Sequence, residues 1–142
     1  MSYKVVYFSR TGGCKKIAKD IGKNLNLPVI EVKDDKNWSG IFGWFKAGYF
    51  STREKLVNIK VSEPLKMEDN LIVVTPLWAG KITPAIRTVL KKFELDRIDL
   101  VVSSKGSRLK ERRAYNAVYD VIENKNNKEE VIEQLIREIK TR

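Results

Sequence analysis

Apolar residues follow two spacings along this chain. Short unbroken runs occur at Lys4-Val5-Val6-Tyr7-Phe8-Ser9, Val29-Ile30-Glu31-Val32, Leu71-Ile72-Val73-Val74-Thr75, Ile98-Asp99-Leu100-Val101-Val102-Ser103 and Ala117-Val118-Tyr119-Asp120-Val121-Ile122. These runs are rich in β-branched and aromatic residues and predict buried strands, the last of them a possible edge strand. Between them the spacing changes to three and four. Ile17, Ala18, Ile21 and Leu25 form one helical stripe that Pro28 stops. Ile86, Val89, Leu90 and Phe93 form a second. Val131, Leu135 and Ile139, joined by Ile132 and Ile136, form a third. Thr83-Pro84 suits the cap and first turn of the second helix, and Asn127 with Glu130 predicts a capping box for the third. The stretch from Asp34 to Lys55 is less regular, with Trp38, Phe42, Trp44, Phe45, Tyr49 and Phe50 among Gly40, Gly43 and Gly48. Four to five strands alternating with helices predict an α/β fold with a doubly wound parallel sheet. Residues 1–142 show no repeat or linker and read as one domain.

Composition narrows the chemistry. Of 142 residues, 42% are hydrophobic and 32% charged, which is globular rather than disordered. No apolar run reaches the ~20 residues a membrane span needs. Met1-Ser2-Tyr3-Lys4 leads straight into a strand without a signal-peptide pattern, and Cys14 is the lone cysteine, so a cytoplasmic location is expected. The chain has no histidine, which excludes histidine catalysis, histidine metal sites and every Ser-His or Cys-His nucleophile pair. One cysteine cannot build a structural zinc site. The net charge of +10 favours anionic partners or serves as a solvated surface.

Ligands of doubly wound sheets bind where strands end at their carboxyl edge, so the loops after strands carry the candidate chemistry. Ser9-Arg10-Thr11-Gly12-Gly13-Cys14 joins a strand to a helix. Glycines let backbone approach an anion, and the free N–H groups and dipole of the helix start attract it. Without a ligand the same glycines make a plain tight turn. Neither G-x-G-x-x-G nor G-x-x-x-x-G-K-[ST] occurs, and no acidic pair follows the first strand. Thr75-Pro76-Leu77-Trp78-Ala79-Gly80-Lys81 puts a tryptophan at the same edge, suited to stacking on a flat ring or to covering the core. Ser103-Ser104-Lys105-Gly106-Ser107 is a third polar loop, followed by the basic residues Arg108, Lys110, Arg112 and Arg113.

Together these loops resemble the flavodoxin family, in its short-chain FMN-binding members. VVYFSRTGGCKKIA resembles the family's first strand, phosphate loop and first helix. VVTPLWAGKITPAI resembles the loop covering one face of the flavin, and IFGWFKAGYFSTREK a glycine- and aromatic-rich helical stretch of several subfamilies. The resemblance implies a five-stranded parallel sheet holding FMN non-covalently. Ser9, Arg10, Thr11, Gly12, Gly13 and Cys14 would surround the phosphate. Thr75, Pro76, Leu77, Trp78, Ala79, Gly80 and Lys81, with Trp78 stacking, and Ser103, Ser104, Lys105 and Gly106 would flank the ring. Cys14 stands where the family usually has Thr or Ser, and the third loop lacks the usual aromatic or paired glycines. The expected function is electron transfer, with no catalytic residue and no metal of the protein's own. An acidic redox partner is expected at Lys105, Arg108, Lys110, Arg112 and Arg113. Alternatives are an FMN-dependent reductase or oxidase acting on a quinone or porphyrinogen, and a flavin-free binding module. Nucleic acid ranks low because aromatics do not interleave with the 105–113 charges.

Overall fold

A computed structural model describes residues 3–34, 59–66 and 68–142. Apart from Asp34, the aromatic stretch predicted to be less regular lies outside the described residues, with the whole of the segment likened to a helical flavodoxin region. The first strand, β1, spans Tyr3–Tyr7, and helix α1 follows at Gly13–Leu25. Strands β2 (Val29–Asp34), β3 (Ile59–Val61), β4 (Asn70–Trp78) and β5 (Lys81–Ile82) come next. Helix α2 spans Pro84–Leu90, then come β6 (Ile98–Ser104), β7 (Ala117–Ile122) and α3 (Lys128–Lys140).

Among the described residues the sheet has seven strands, in the order β3-β2-β1-β4-β6-β7 with β5 paired to β4. The expectation of five is therefore corrected. Strands β2, β1, β4, β6 and β7 are mutually parallel, as expected, while β3 and β5 add antiparallel pairing at β2 and β4. These extra strands are only three and two residues long. Periodicity over so few residues carries no strand signal.

The central strands are buried on both faces, which explains their unbroken apolar runs. Val6, Leu71, Val73, Leu100 and Val102 face one core, shared with Ala85, Ile86, Val89 and Leu90 of α2. Val5, Tyr7, Ile72, Val74 and Val101 face the other, shared with Ile17 and Ile21 of α1 and Leu135 and Ile139 of α3. This is the period-two alternation of a strand. Helix α1 packs closely on β2: a Cβ on Gly22 would stand 2.3 Å from Val29 Cγ2. The helix ends before Pro28, at Asn26, whose φ of 53° ends it in the left-handed region.

One capping expectation holds in position and the other needs correction. Thr83 is the α2 cap residue and Pro84 its first residue, but the Thr83 side chain makes no capping bond. Its hydroxyl pairs instead with that of buried Thr75 at 2.9 Å. Asn127 precedes α3, yet no capping box forms. Its Oδ1 accepts the Ile122 N–H at 2.8 Å and its Nδ2 donates to the Asp120 carbonyl at 3.0 Å, so it ties the helix start to β7.

No helix among the described residues is long and apolar enough to cross a membrane. No group of three or more His, Cys, Asp or Glu side chains among them is placed to hold a metal ion.

Asp99 on β6 is 1% exposed. Its Oδ2 accepts from Arg142 Nη1 at 2.6 Å and its Oδ1 from Asn116 Nδ2 at 3.0 Å. The bond to Asp99 raises the Arg142 pKa above its ordinary value, against the opposing effect of burial. Arg142→Ala leaves a buried carboxylate with only a neutral donor. It lowers stability by about 1–2 kcal/mol, discounted because Arg142 is partly exposed. Asp99→Asn in the same chain restores most of the loss, and urea unfolding of both variants measures it.

Candidate functional site

The chain steps from β1 to β2 on one side and, after α1 and β2, returns to place β4 on the other side of β1. The β1–β4 junction is thus the point where strand order reverses, the place where this class of sheet binds ligands. Tyr7 pairs with Val74, and Pro76 with Ser103, so the segments after β1, β4 and β6 leave from one edge.

The segment after β1 curls tightly. The Gly12 N–H donates to Ser9 Oγ at 2.8 Å, and Gly12 has a φ of 97° that favours glycine. Helix α1 begins at Gly13 without a side-chain cap and without an acidic residue in its first turn. Its first-turn amides have no intrahelical acceptors, and nothing lies within 4 Å of where a Cβ would stand on Gly12 or Gly13. Open space, unpaired N–H groups and the positive helix end favour an anion there. Thr11 and Gly13 are exposed, and Ser9, Arg10 and Gly12 half-buried.

Cys14 does not face this opening with its side chain. It is 4% exposed and packs in the core with Tyr7, Ile17 and Val74. Burial pushes its thiol up to about 12, so it stays protonated and offers the loop only its backbone.

The expected loop after β4 proves to be ordered extension of the strand. Residues Thr75–Trp78 remain in β4, and the chain folds back through Ala79 and Gly80 into β5. Leu77 pairs with Ile82 and Trp78 with Lys81. Ala79 and Gly80 have φ of 54° and 75°, the two positive values of a tight type I′ hairpin turn. Thr75 is fully buried, its hydroxyl bonded to Thr83 and to the Pro76 carbonyl. Its hydroxyl is thus engaged within the protein. Trp78 is half-buried rather than fully solvent-facing. Its ring meets buried Phe8 edge to face, with centroids 5.5 Å apart at 80°, so part of it covers the core.

The third segment folds toward β7. Ser104 Oγ donates to the Ser107 carbonyl at 2.6 Å, and the Lys105 carbonyl accepts the Asn124 N–H at 2.8 Å. Lys105 and Gly106 are exposed, and Ser103 and Ser104 half-buried.

The basic residues do not form one uniform surface. Arg112 Nη1 and Nη2 grip Asp120 Oδ1 and Oδ2 at 2.9 and 2.6 Å, and the guanidinium also donates to the Leu109 and Val118 carbonyls. Arg112 therefore fastens the β6–β7 connection. Arg108 reaches Asp120 at 3.3 Å but stays 64% exposed. Lys105, Lys110 and Arg113 are exposed. Sequence reading missed Asp120 as the anchor and Phe8 as the ring partner of Trp78. An acidic residue inside a strand opposite a basic segment was the available signal for the first.

The sequence matches no protein-family model and no curated protein. The fold is shared with solved flavoproteins. A flavoprotein in complex with FMN from Lactobacillus acidophilus NCFM is 17% identical over 91% of this chain and 97% of its own, with a TM-score of 0.64. Proteins assigned as flavoproteins from Bacteroides uniformis and Bacteroides eggerthii give TM-scores of 0.70 and 0.68 at 15% and 16% identity. Each covers 94% of this chain, and 97% and 95% of its own length respectively. The chain therefore has a flavodoxin-like fold.

Burial raises the Asp120 carboxyl, but Arg112 and then Arg108 outweigh it and hold it below its ordinary value. A depressed carboxylate stabilises the fold above its unfolded pKa, and that contribution is lost as pH falls through the folded value. Arg112→Ala is expected to cost about 1–2 kcal/mol at neutral pH and to shrink the acid limb of the stability curve. Arg113→Ala stays within about 0.5 kcal/mol. Thermal unfolding of both variants between pH 7 and acid, in about half-unit steps, checks the contrast.

Proposed function

We propose that the protein binds FMN at this carboxyl edge and carries electrons to and from a protein partner. The observation that carries the reading is the open, uncapped, glycine-lined start of α1 at the strand-order reversal, in a fold shared with a flavoprotein in complex with FMN. The donor set suits a phosphate: backbone N–H groups from Gly13 and Cys14 onward, with Ser9, Arg10 and Thr11 around them. Pro76 to Lys81 form one wall of the ring site, with Trp78 held in place by Phe8, and Ser103 to Gly106 form the other.

When bound, FMN supplies the redox chemistry itself. The protein's residues orient the cofactor, exclude water and set the field around it. Lys81 and Lys105 lie in the two walls and favour added negative charge by Coulomb attraction. The exposed Lys105, Arg108, Lys110 and Arg113 give an acidic redox partner a complementary surface. A buried, unpaired Cys14 suits a cytoplasmic carrier.

Protein mixed with FMN and desalted is expected to keep the flavin absorption bands. Gly12→Val strains a φ of 97° and weakens retention about tenfold. A colourless protein that releases all added FMN overturns the proposal.

The wall lysines yield a separate expectation. Lys105→Glu exchanges a positive for a negative charge and moves the midpoint potential downward. For a charge about 10 Å away in a watery setting the shift is on the order of 10–30 mV, and smaller in high salt. A redox titration of both forms reads it, and an unchanged or higher potential removes Lys105 from the cofactor's field.

A further inference from the structure

A cavity bounded by described residues lies away from the phosphate loop. It holds about 900 Å³, and none of Ser9–Cys14 lines it. That volume is within the range of about 300–1,000 Å³ of small-molecule sites. Its walls are the β4–β5 turn, the outer part of α2 with the chain just beyond it, and the segment from Ser107 to Tyr115.

The floor is apolar. Leu90 and Leu109 are each 6% exposed, and Ile82, Leu95 and Tyr115 pack partly buried against the same core. The rim is cationic: Lys81, Arg87, Lys91, Arg108 and Lys110 stand against the single carboxylate of Glu111. Low-dielectric walls lined by one sign of charge focus the field and concentrate an oppositely charged ligand. Two of the cations are fixed from behind, Arg87 by the Ile82 carbonyl at 2.8 Å and Arg108 by Asp120. Lys91 and Lys110 are exposed at the mouth. Burial first, and then Glu111, raise the Tyr115 pKa against the opposing Arg87, so its phenol remains an O–H donor at neutral pH.

We propose that this cavity binds a small anionic aromatic molecule. Its ring lies against Leu90, Leu109 and Tyr115, and its carboxylate, sulfonate or phosphate meets Lys91 and Lys110. The site lies away from the phosphate loop and shares only the turn residues Ala79, Gly80 and Lys81 with the proposed ring wall.

The test uses the whole chain and two fluorescent probes, the anionic anilinonaphthalene sulfonate and the neutral N-phenylnaphthylamine. The anionic dye is expected to saturate at one per chain. Lys91→Glu with Lys110→Glu weakens it by about tenfold or more, because each reversal turns attraction into repulsion at the mouth. The neutral dye changes by less than about twofold, since the apolar floor is untouched. Far-UV circular dichroism of the doubly substituted protein confirms that it is folded. Absence of saturable binding, or equal binding of the anionic dye after charge reversal, overturns the proposal.

Discussion

The parallel pairing of β1 with β4 is the constraint on which the rest of the molecule depends. Five residues of β1 pair with β4 in unbroken register, from Tyr3–Asn70 to Tyr7–Val74. Both strands are walled by apolar side chains on their two faces, so their backbone groups are shut away from water and must bond to each other. Because side chains alternate, a slip of one residue would exchange the two cores and send Val5 and Val6 to the wrong helices. The register also aligns the carboxyl ends of β1, β4 and β6. The uncapped start of α1, the Trp78 hairpin and the third segment share one edge for that reason.

Around this frame the excess positive charge is divided by function. Some cations are held within the structure: Lys4 bonds Asp69 at 2.9 Å, Arg142 bonds Asp99, and Arg112 bonds Asp120. In each pair the carboxylate is nearly buried and the cation only partly so, which limits the desolvation cost to one strongly desolvated partner. Among the described residues most other lysines and arginines are exposed, including Lys105, Arg108, Lys110 and Arg113. Each such pair is neutral as a unit, so the formal charge of +10 is carried by the other side chains.

The β6–β7 connection shows how a parallel crossover forms without a helix among its residues. Leu109 inserts into the core, Arg112 ties the segment to β7, and the Asn116 N–H bonds the Ile98 carbonyl at 3.0 Å. These anchors hold the segment away from α2, and the cavity between them is a consequence. The β4–β5 hairpin closes the same cavity from another side, so one short turn borders both the proposed ring site and the cavity.

The elements with long, regular apolar patterns were legible in the sequence alone. Leu71 to Val74, Ile98 to Val102 and the stripes of α1 and α3 needed no context, since burial on a face dictates residue type at a fixed period. The glycine turn before α1 was legible for a similar reason, because φ near 97° selects glycine. Only the tertiary structure decided what polar side chains do. Thr75, Thr83 and Asn127 are residues that cap, turn or bind according to the partner within reach. Their partners, Thr83, Thr75 and Ile122, are supplied by packing. Whether Trp78 stands clear or leans on Phe8 was settled by the hairpin, and whether Arg112 is a surface charge or a clamp was settled by Asp120. Side-chain period is a local property of the chain, whereas hydrogen-bond and ion-pair choice depends on what the fold brings within about 3 Å.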